Sequence, residues 1–407
     1  MRDPRQTLLK VFHEALRAVD GDRCVRRFLN LHPIPAPVYL VAIGKAACAM
    51  ARGTEAMLGS AIRDALIITK YGHAEPLPWP VFEAAHPFPD ARSLEAGAAL
   101  TQFIATIPRD AQVLVLLSGG TSALVESLPP GVDLAQLQQI SDWLLASGLD
   151  IAQINQVRKR MSLFKGGRLA ALLSPRAVTC LALSDVPGDD LRVIGSGLLV
   201  ADPELEQPLA MPLPDFVRSA LTAPAAPRVN DACFERVRIE IVARLDDVKR
   251  VAQITAERYG YRAQQISEFI AGEATDVGAQ LAQQLVRSEP GVIYVWGGET
   301  TVRLPVRAGR GGRNQSLALA AARVLSGHHH MFFLSAGTDG SDGPTTDAGA
   351  LVDGGTIARA AVHGLDAADA LTRADAGTFL EASGDLIHTG PTGTNVMDLM
   401  LGLRRER

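Results

Sequence analysis

Short hydrophobic runs alternate with longer amphipathic segments along most of the chain. The segments SLEAGAALTQFIATI and DVGAQLAQQLVRS carry hydrophobic residues at helical spacing. The short runs have the length of buried strands, and we predict strands at residues 38–43, 65–69, 112–117, 178–183, 237–243, 291–296 and 330–335. Such alternation of strands and helices is typical of an α/β protein with a mostly parallel sheet.

A proline-rich segment interrupts this pattern. It reads PLAMPLPDFVRSALTAPAAPRVN, covers residues 208–230 and precedes a new series of strands and helices. A rise in proline content is typical of the connection between two domains. We therefore expect two domains, at residues 1–228 and 229–407.

Composition and charge narrow the class of protein. With 407 residues, of which 47% are hydrophobic and 21% charged, the chain is an ordinary folded protein and is neither collagenous nor disordered. Its net charge of -4 gives no basic surface for nucleic acid. The four cysteines lack the spacing of a metal site, and no uncharged hydrophobic stretch is long enough to cross a membrane. We expect a cytoplasmic protein that binds neither nucleic acid nor membrane.

Ligands of open α/β sheets bind beyond the carboxyl ends of the strands, so the polar residues that follow the hydrophobic runs are the first candidates. In VYLVAIGKAACAMA, Lys45 comes directly after the glycine that ends the run. A lysine at the start of a helix strengthens the attraction of that helix end for anions. We predict that Lys45 binds a phosphate or a carboxylate.

The run at residues 112–117 is followed by a glycine-rich turn formed by Ser118, Gly119, Gly120 and Thr121. Paired glycines let backbone N–H groups approach an anion closely. The turn matches neither the P-loop nor the GxGxxG pattern. A tight structural turn capped by serine or threonine explains it equally well.

Cations are concentrated in the segment INQVRKRMSLFKGG. This segment contains Asn155, Arg158, Lys159, Arg160 and Lys165. An anion-binding site and an ordinary solvated helix face explain the cluster equally well.

Carboxylates follow several of the later runs. Asp185 comes two residues after the run at 178–183, where it could bind Mg²⁺ or accept the proton of a hydroxyl group. Glycine-rich turns further along hold the densest polar group, which consists of Glu299, Arg313, Asn314, Asp339, Asp342 and Asp347. Their spacing is not that of an EF-hand, and Mg²⁺ with phosphate suits scattered oxygen ligands better than Ca²⁺ does.

Near the end of the chain, Thr392, Gly393, Thr394 and Asn395 precede VMDLMLGL, which we predict to be a short apolar helix. A capped loop and a polar edge of the same site are equally good interpretations.

Together, the cations, carboxylates and glycine turns provide what phosphoryl transfer requires.

Eight motifs resemble the glycerate 2-kinase family: AIGKA, LSGGTSAL, NQVRKRMSLFKGGRLA, LSDVPGD, GGETTV, GRGGRNQSLALA, SAGTDGSDGPTTDAGA and TGPTGTNVMDL. They occur in this order from about residue 40 to about residue 400. The resemblance implies transfer of the γ-phosphoryl group of ATP to the 2-hydroxyl group of D-glycerate with Mg²⁺. It also implies a Rossmann-like N-terminal domain and a smaller α/β C-terminal domain of the MOFRL type, with the active site in the cleft.

Within this resemblance we expect Lys45, Asp185 and Arg313 to be catalytic, and Asp185 and Asp339 to bind Mg²⁺. Which aspartate acts as a base stays open. Contacts to substrate or nucleotide are expected from Ser118, Gly119, Gly120, Thr121, Asn155, Arg158, Glu299, Asn314, Thr392 and Asn395. The expected partners are ATP, Mg²⁺ and D-glycerate, and a homo-oligomer stays open.

Members of this family often carry the name hydroxypyruvate reductase, so reduction of hydroxypyruvate by NAD(P)H is the alternative. No GxGxxG turn follows any predicted strand, which argues against that chemistry. A nucleotide-binding regulatory protein without turnover is a third class.

Overall fold

The structure is a computed structural model that describes residues 3–406. The chain forms two compact units. The first unit is Gly21–Val242, and the second combines the residues up to Asp20 with those from Ala243 onward. Within residues 3–406, every helix is too short or too polar to span a lipid bilayer.

The helices, in chain order, are Pro4–Ala18 (α1), Gly21–Leu31 (α2), Ala47–Leu58 (α3), Ala91–Thr106 (α4), Thr121–Leu124 (α5), Leu134–Ala146 (α6), Ile151–Arg160 (α7), Arg168–Leu173 (α8), Asp215–Arg218 (α9), Leu245–Arg258 (α10), Ala274–Arg287 (α11), Arg313–Leu325 (α12), Thr356–Ala361 (α13), Ala367–Thr372 (α14) and Ala376–Ser383 (α15). The strands are Val38–Ile43 (β1), Ile62–Lys70 (β2), Val81–Ala84 (β3), Gln112–Leu117 (β4), Ala177–Leu183 (β5), Val237–Ala243 (β6), Arg262–Ile270 (β7), Val292–Gly298 (β8), Met331–Gly337 (β9), Gly349–Asp353 (β10), Leu386–Ile387 (β11) and Asp398–Arg404 (β12).

The sheet of the first unit has the strand order β3-β2-β1-β4-β5-β6. Its neighbours from β3 to β5 all run parallel. This is the order of the doubly wound dinucleotide-binding folds, in which the ligand crevice lies where the order reverses, here between β1 and β4. The expectation of a Rossmann-like, mostly parallel sheet is confirmed.

Burial on both faces explains why these strands are almost continuously hydrophobic. β1 reads VYLVAI and β4 reads QVLVLL, and nearly all of their residues are buried. Strands of parallel sheets have this composition because helices cover both sides of the sheet.

Helix starts are also encoded locally, since the Asp90 side chain accepts a hydrogen bond from the Ser93 N–H and Ser93 Oγ accepts one from the Asp90 N–H.

The observed division of the chain differs from the predicted boundary at residue 228. β6 is the last strand of the first sheet and lies beyond that boundary. At the other end of the chain, α1 packs against α10 in the second unit and buries Leu8, Val11 and Phe12. The proline-rich segment therefore precedes the last strand of the first sheet and does not mark the start of the second unit.

The second unit contains a mixed sheet of order β11-β10-β9-β12-β8-β7, in which β7 and β8 are parallel and the other pairs antiparallel. The predicted apolar helix after Asn395 is wrong, because this segment forms strand β12 between β9 and β8. Gly402 allows the close packing there, since a Cβ at this position would lie 2.8 Å from the Trp296 ring.

Candidate active site

The first cluster of candidate residues lies at the carboxyl edge of the first sheet, where β1 and β4 are neighbours. Ile43 at the end of β1 is in register with Leu117 at the end of β4. The Lys45 N–H donates a 2.9 Å hydrogen bond to the Gly119 carbonyl, and the next N–H donates a 3.0 Å hydrogen bond to Ser118 Oγ. The turns that follow the two strands are therefore tied directly to each other.

Glycine is required at two positions of this junction. Gly44 has a φ of +132°, and a Cβ there would lie 2.2 Å from Ser118 Oγ. Gly120 has a φ of +89°, and a Cβ there would lie 3.5 Å from Cγ of Lys45 and 3.1 Å from Cδ2 of His86. The aliphatic part of the Lys45 side chain thus lies directly beside the Gly120 backbone.

The two hydroxyl groups of the β4 turn hold the turn together. Ser118 and Thr121 are almost fully buried. The Thr121 hydroxyl lies 2.7 Å from the Ser118 carbonyl and 3.0 Å from the Ile43 carbonyl. Both hydroxyl groups are therefore engaged in holding the β4 turn in place, as a purely structural turn requires. The charged side chain where the β1 and β4 turns meet is that of Lys45.

Asp185 lies at the same edge of the sheet. β5 is parallel to β4, with Ala182 in register with Leu117, and Asp185 follows β5 by two residues as a half-buried side chain. The first unit therefore brings together three sequence-predicted features: Lys45, the β4 turn and Asp185.

Most cations of α7 and the following loop stabilise the fold and do not form a solvated helix face. Lys159 is buried, and its Nζ forms a 2.5 Å ion pair with Asp202. Lys165 is also buried and pairs with Glu126. Arg160 donates hydrogen bonds to backbone carbonyls of the 204–207 loop.

Arg158 and Asn155 have a different environment. Both line a small cavity of about 50 Å³ together with Ser122 and Ser196. Ser122 comes directly after the β4 turn, and its Oγ lies 2.6 Å from Ser196 Oγ. The cavity is therefore next to the turn that contacts Lys45.

The second cluster lies in the second unit around Arg313, the first residue of α12. Its Nε and Nη2 lie 2.6 and 3.1 Å from the two carboxylate oxygens of Asp398, and its Nη1 lies 2.8 Å from Glu299 Oε1. Burial by itself lowers the pKa of Arg313, because it disfavours the charged guanidinium. The carboxylates of Asp398 and Glu299 have the larger combined effect, so the pKa of Arg313 lies above its ordinary value. Arg313 is thus a firmly held cation whose side chain is 35% exposed.

Three strand ends bring carboxylates to this cluster. Gly298 at the end of β8 and Gly337 at the end of β9 are both in register with Asp398. Glu299 follows β8, and Asp339 follows β9 by two residues. Asp398 is not among the sequence-predicted residues, although a single carboxylate inside VMDLMLGL is itself a signal of a buried, paired charge.

Asp342 caps the helix that carries Arg313. Its two carboxylate oxygens accept hydrogen bonds of 3.0 and 2.8 Å from the N–H groups of Asn314 and Gln315. Burial raises the pKa of Asp342 to about 7, although these N–H donors oppose the shift. A Cβ on Gly312 would lie 2.4 Å from the Asp342 carboxyl carbon, so the approach of the acid to the helix requires glycine.

Asn314 and the loop after β11 are largely engaged within the protein. Asn314 is buried, and its Oδ1 accepts a 2.7 Å hydrogen bond from Ser335 Oγ. Thr392 Oγ1 donates a 2.5 Å hydrogen bond to the Thr338 carbonyl, and Asn395 is buried. These contacts favour the capped-loop interpretation of the segment.

The remaining acidic residues do not form a preassembled metal cage. Asp339 Oδ1 accepts hydrogen bonds of 2.9 and 3.1 Å from the N–H and hydroxyl of Ser341. Asp347 pairs with Arg310 at 2.8 Å and with His388 at 2.7 Å. Across residues 3–406, no three His, Cys, Asp or Glu side chains form a group that could hold a metal ion.

The fold and the two clusters define an α/β enzyme of the type that binds anionic ligands beyond its strand ends. A family model described as Domain of unknown function (DUF4147) matches residues 7–213, and the MOFRL family model matches residues 292–398. The D-glycerate 2-kinase of Thermotoga maritima is 36% identical over 99% of this chain and 100% of its own length. The glycerate 2-kinase of Pyrococcus horikoshii is 33% identical over 98% of this chain and 97% of its own length.

A crystal structure of the Thermotoga maritima glycerate kinase matches with a TM-score of 0.84, covering 98% of this chain and 99% of that one. The chain therefore belongs to the glycerate kinase family. The predicted family, α/β fold class and kinase class are confirmed.

A relative from Agrobacterium vitis, 35% identical over 88% of this chain and 97% of its own length, carries a provisional name as a hydroxypyruvate reductase. At the switch point of the first sheet, the β1 turn of this chain is Ile43-Gly44-Lys45 and lacks the GxGxxG fingerprint. The kinase interpretation is therefore the better one.

Proposed function

We propose that this chain transfers the γ-phosphoryl group of ATP to the 2-hydroxyl group of D-glycerate, which gives 2-phosphoglycerate and ADP. The observation that carries the proposal is the full-length similarity to glycerate 2-kinases. The chemistry of the two clusters supports it, because each contains a positioned cation together with carboxylates.

Lys45 is assigned to the phosphate oxygens. Enzymatic phosphoryl transfer depends mainly on positioning and on stabilisation of charge on the phosphoryl oxygens. The Lys45 backbone is fixed to the β4 turn, and its side chain lies along Gly120 at the switch point of the sheet. Loss of one such well-aimed group costs about 3–4 kcal/mol of transition-state stabilisation.

Arg313 is assigned to phosphate as a directed hydrogen-bond donor. Asp398 holds two of its nitrogens and Glu299 a third. The net charge of this cluster is about -2 when all of its groups are ionised, because the single positive charge of Arg313 faces the carboxylates of Glu299, Asp339 and Asp398. Such an environment suits a divalent cation better than phosphate alone.

The acidic residues fit Mg²⁺, which in kinases uses one or two carboxylates and completes its ligand set with phosphate oxygens and water. Asp339 and Asp185 are the residues that would hold it. When bound, Mg²⁺ neutralises charge on the β- and γ-phosphates. Asp185 is half-buried and follows β5, the neighbour of β4, and we assign it to accept a hydrogen bond from the 2-hydroxyl group and to take its proton.

The experiment that tests this function compares two activities of the full chain. ADP release with ATP, Mg²⁺ and D-glycerate is expected, with a product whose phosphate is on carbon 2. NAD(P)H consumption with hydroxypyruvate is not expected. A chain that consumes NAD(P)H and releases no ADP would be a reductase.

Several finer points belong to this proposal as predictions. They are the use of ATP and Mg²⁺, a cytoplasmic location and the lack of a nucleic-acid partner.

A further inference from the structure

Two polar side chains of α7 differ from their neighbours in their contacts. Among the described residues, the Arg158 guanidinium and the Asn155 carboxamide have no hydrogen-bond or ion-pair partner, and Glu126 attracts Arg158 only from beyond ion-pair distance. Lys159 and Arg160, on the same helix, are both engaged internally. Arg158 and Asn155 both line the 50 Å³ cavity beside the β4 turn, so their hydrogen-bonding groups are available to a ligand there.

The charges around this cavity leave one positive charge uncompensated. Its charged lining residues are Glu126, Lys165 and Arg158. The buried Glu126 carboxylate is already satisfied by Lys165 and by Ser162 Oγ at 2.6 Å. One negative and two positive side chains give a net charge of +1, which one carboxylate would balance. Arg158 is the residue free to pair with it.

The size of the cavity restricts the ligand. About 10–15 Å³ is needed for one water-sized group, so about 50 Å³ admits only a few such groups. A nucleotide is far too large, whereas the carboxylate end of a three-carbon acid is of suitable size. The position is also suitable, because Ser122 and Ser196 connect the cavity to the β4 turn that contacts Lys45.

We propose that this cavity binds the carboxylate of the acceptor, a small hydroxy acid, through paired hydrogen bonds from Arg158 and one from the Asn155 carboxamide. The planar guanidinium matches the two oxygens of a carboxylate. Lys165 and Glu126 act as positioning residues that keep the cavity polar without neutralising Arg158. The identity of the acid as D-glycerate rests on the proposed function, but the carboxylate site itself rests on the cavity.

Steady-state kinetics of the full-length Arg158→Ala and Arg158→Lys variants test the proposal. Loss of a charged partner from a buried carboxylate weakens binding by at least about 30-fold. We therefore expect Arg158→Ala to raise the KM for D-glycerate by at least about 30-fold and to change the KM for ATP by less than about twofold. Arg158→Lys should be intermediate, because lysine keeps the charge and loses the two-point geometry.

Two further variants make the test specific. Asn155→Asp adds a negative charge to the cavity and should also raise the KM for D-glycerate. Arg92→Ala, at an exposed arginine that pairs with Glu95 in the same unit, should leave both KM values unchanged. The proposal would be overturned if Arg158→Lys or Asn155→Asp left the KM for D-glycerate unaltered. It would also be overturned if the KM values for D-glycerate and ATP rose equally.

Direct binding separates this inference from the proposed function. Calorimetric titration of the wild-type chain with D-glycerate and with lactate should show binding that Arg158→Lys weakens. A chain that binds these acids through Arg158 but releases no ADP would refute the kinase assignment and keep the carboxylate site. A chain that releases ADP while Arg158→Lys binds the acids as well as the wild type would refute the site and keep the kinase.

Discussion

The Arg313 guanidinium lies against the fully buried carboxylate of Asp398, with nitrogen–oxygen distances of 2.6 and 3.1 Å. The pair joins the first residue of α12 to the first residue of β12. Removal of Arg313 would leave a carboxylate with no water and no counter-charge, which is costlier than loss of a surface pair. Arg313 therefore has a structural role in addition to its proposed contact with phosphate.

This double role predicts a difference between the two proposed catalytic cations. Arg313→Ala should lower the free energy of unfolding by about 3–5 kcal/mol, because it leaves Asp398 buried and unpaired. Lys45→Ala should change the stability by less than about 1 kcal/mol, since its side chain is only half-buried and water still reaches it. Urea unfolding of both variants measures the difference.

A double variant separates structure from chemistry at the same pair. Arg313→Ala combined with Asp398→Ala removes both charges, so part of the lost stability should return. Turnover should stay low because the phosphate contact is still missing. Equal stabilities of the single and double variants would show that the two residues are not energetically coupled.

Gly120 offers a test of how the β4 turn positions Lys45. Gly120→Ala and Gly131→Ala both place alanine at a φ near +88°, so each should lose about 1–2 kcal/mol of stability. A Cβ at residue 120 would lie 3.1 Å from His86 Cδ2, which must move, and 3.5 Å from Lys45 Cγ, whereas no atom lies within 4 Å of a Cβ at Gly131. We expect kcat/KM to fall about ten- to a hundredfold for Gly120→Ala and to stay at the wild-type value for Gly131→Ala.

Asp342 predicts a dependence of stability on pH. Its pKa is raised to about 7 in the folded protein and is about 3.9 in an unfolded chain. Between these values the folded protein keeps a proton that the unfolded chain releases, so stability decreases as the pH rises. The contribution is at most about 1.4 kcal/mol per pH unit and levels off above about pH 7.

Asp342→Asn removes this titration and should flatten the profile of unfolding free energy from about pH 4 to about pH 7. Urea titrations across that range measure the slope. A variant with the same slope as the wild type would place the titration on other groups.

The pattern of hydrophobic residues predicted the strands of the first sheet well, because its central strands are buried on both faces. The bounds of β1, β4 and β6 agree with the predicted runs. β12 was assigned to the wrong class because VMDLMLGL is short and apolar, and periodicity cannot separate a buried strand from a buried helix at that length. The polar-rich β7 and the two-residue β11 carry too little hydrophobic signal to be found.

Sequence placed Lys45, the β4 turn and Asp185 at one edge, because parallel strands end on the same side of a sheet. The sequence could not separate the cations of α7 and of the following loop by role. Lys159 and Lys165 acquire their partners Asp202 and Glu126 only through tertiary packing. Within residues 3–406, the same packing gives Arg158 no hydrogen-bond or ion-pair partner.

The central claim is tested most directly by turnover of D-glycerate with ATP and Mg²⁺, followed by ³¹P NMR of the product. We predict ADP and 2-phosphoglycerate from the wild-type chain, and a loss of about a hundred- to a thousandfold in kcat for Lys45→Ala at unchanged stability. Phosphate on carbon 3, no ADP at all, or a Lys45→Ala variant with normal kcat would contradict the account.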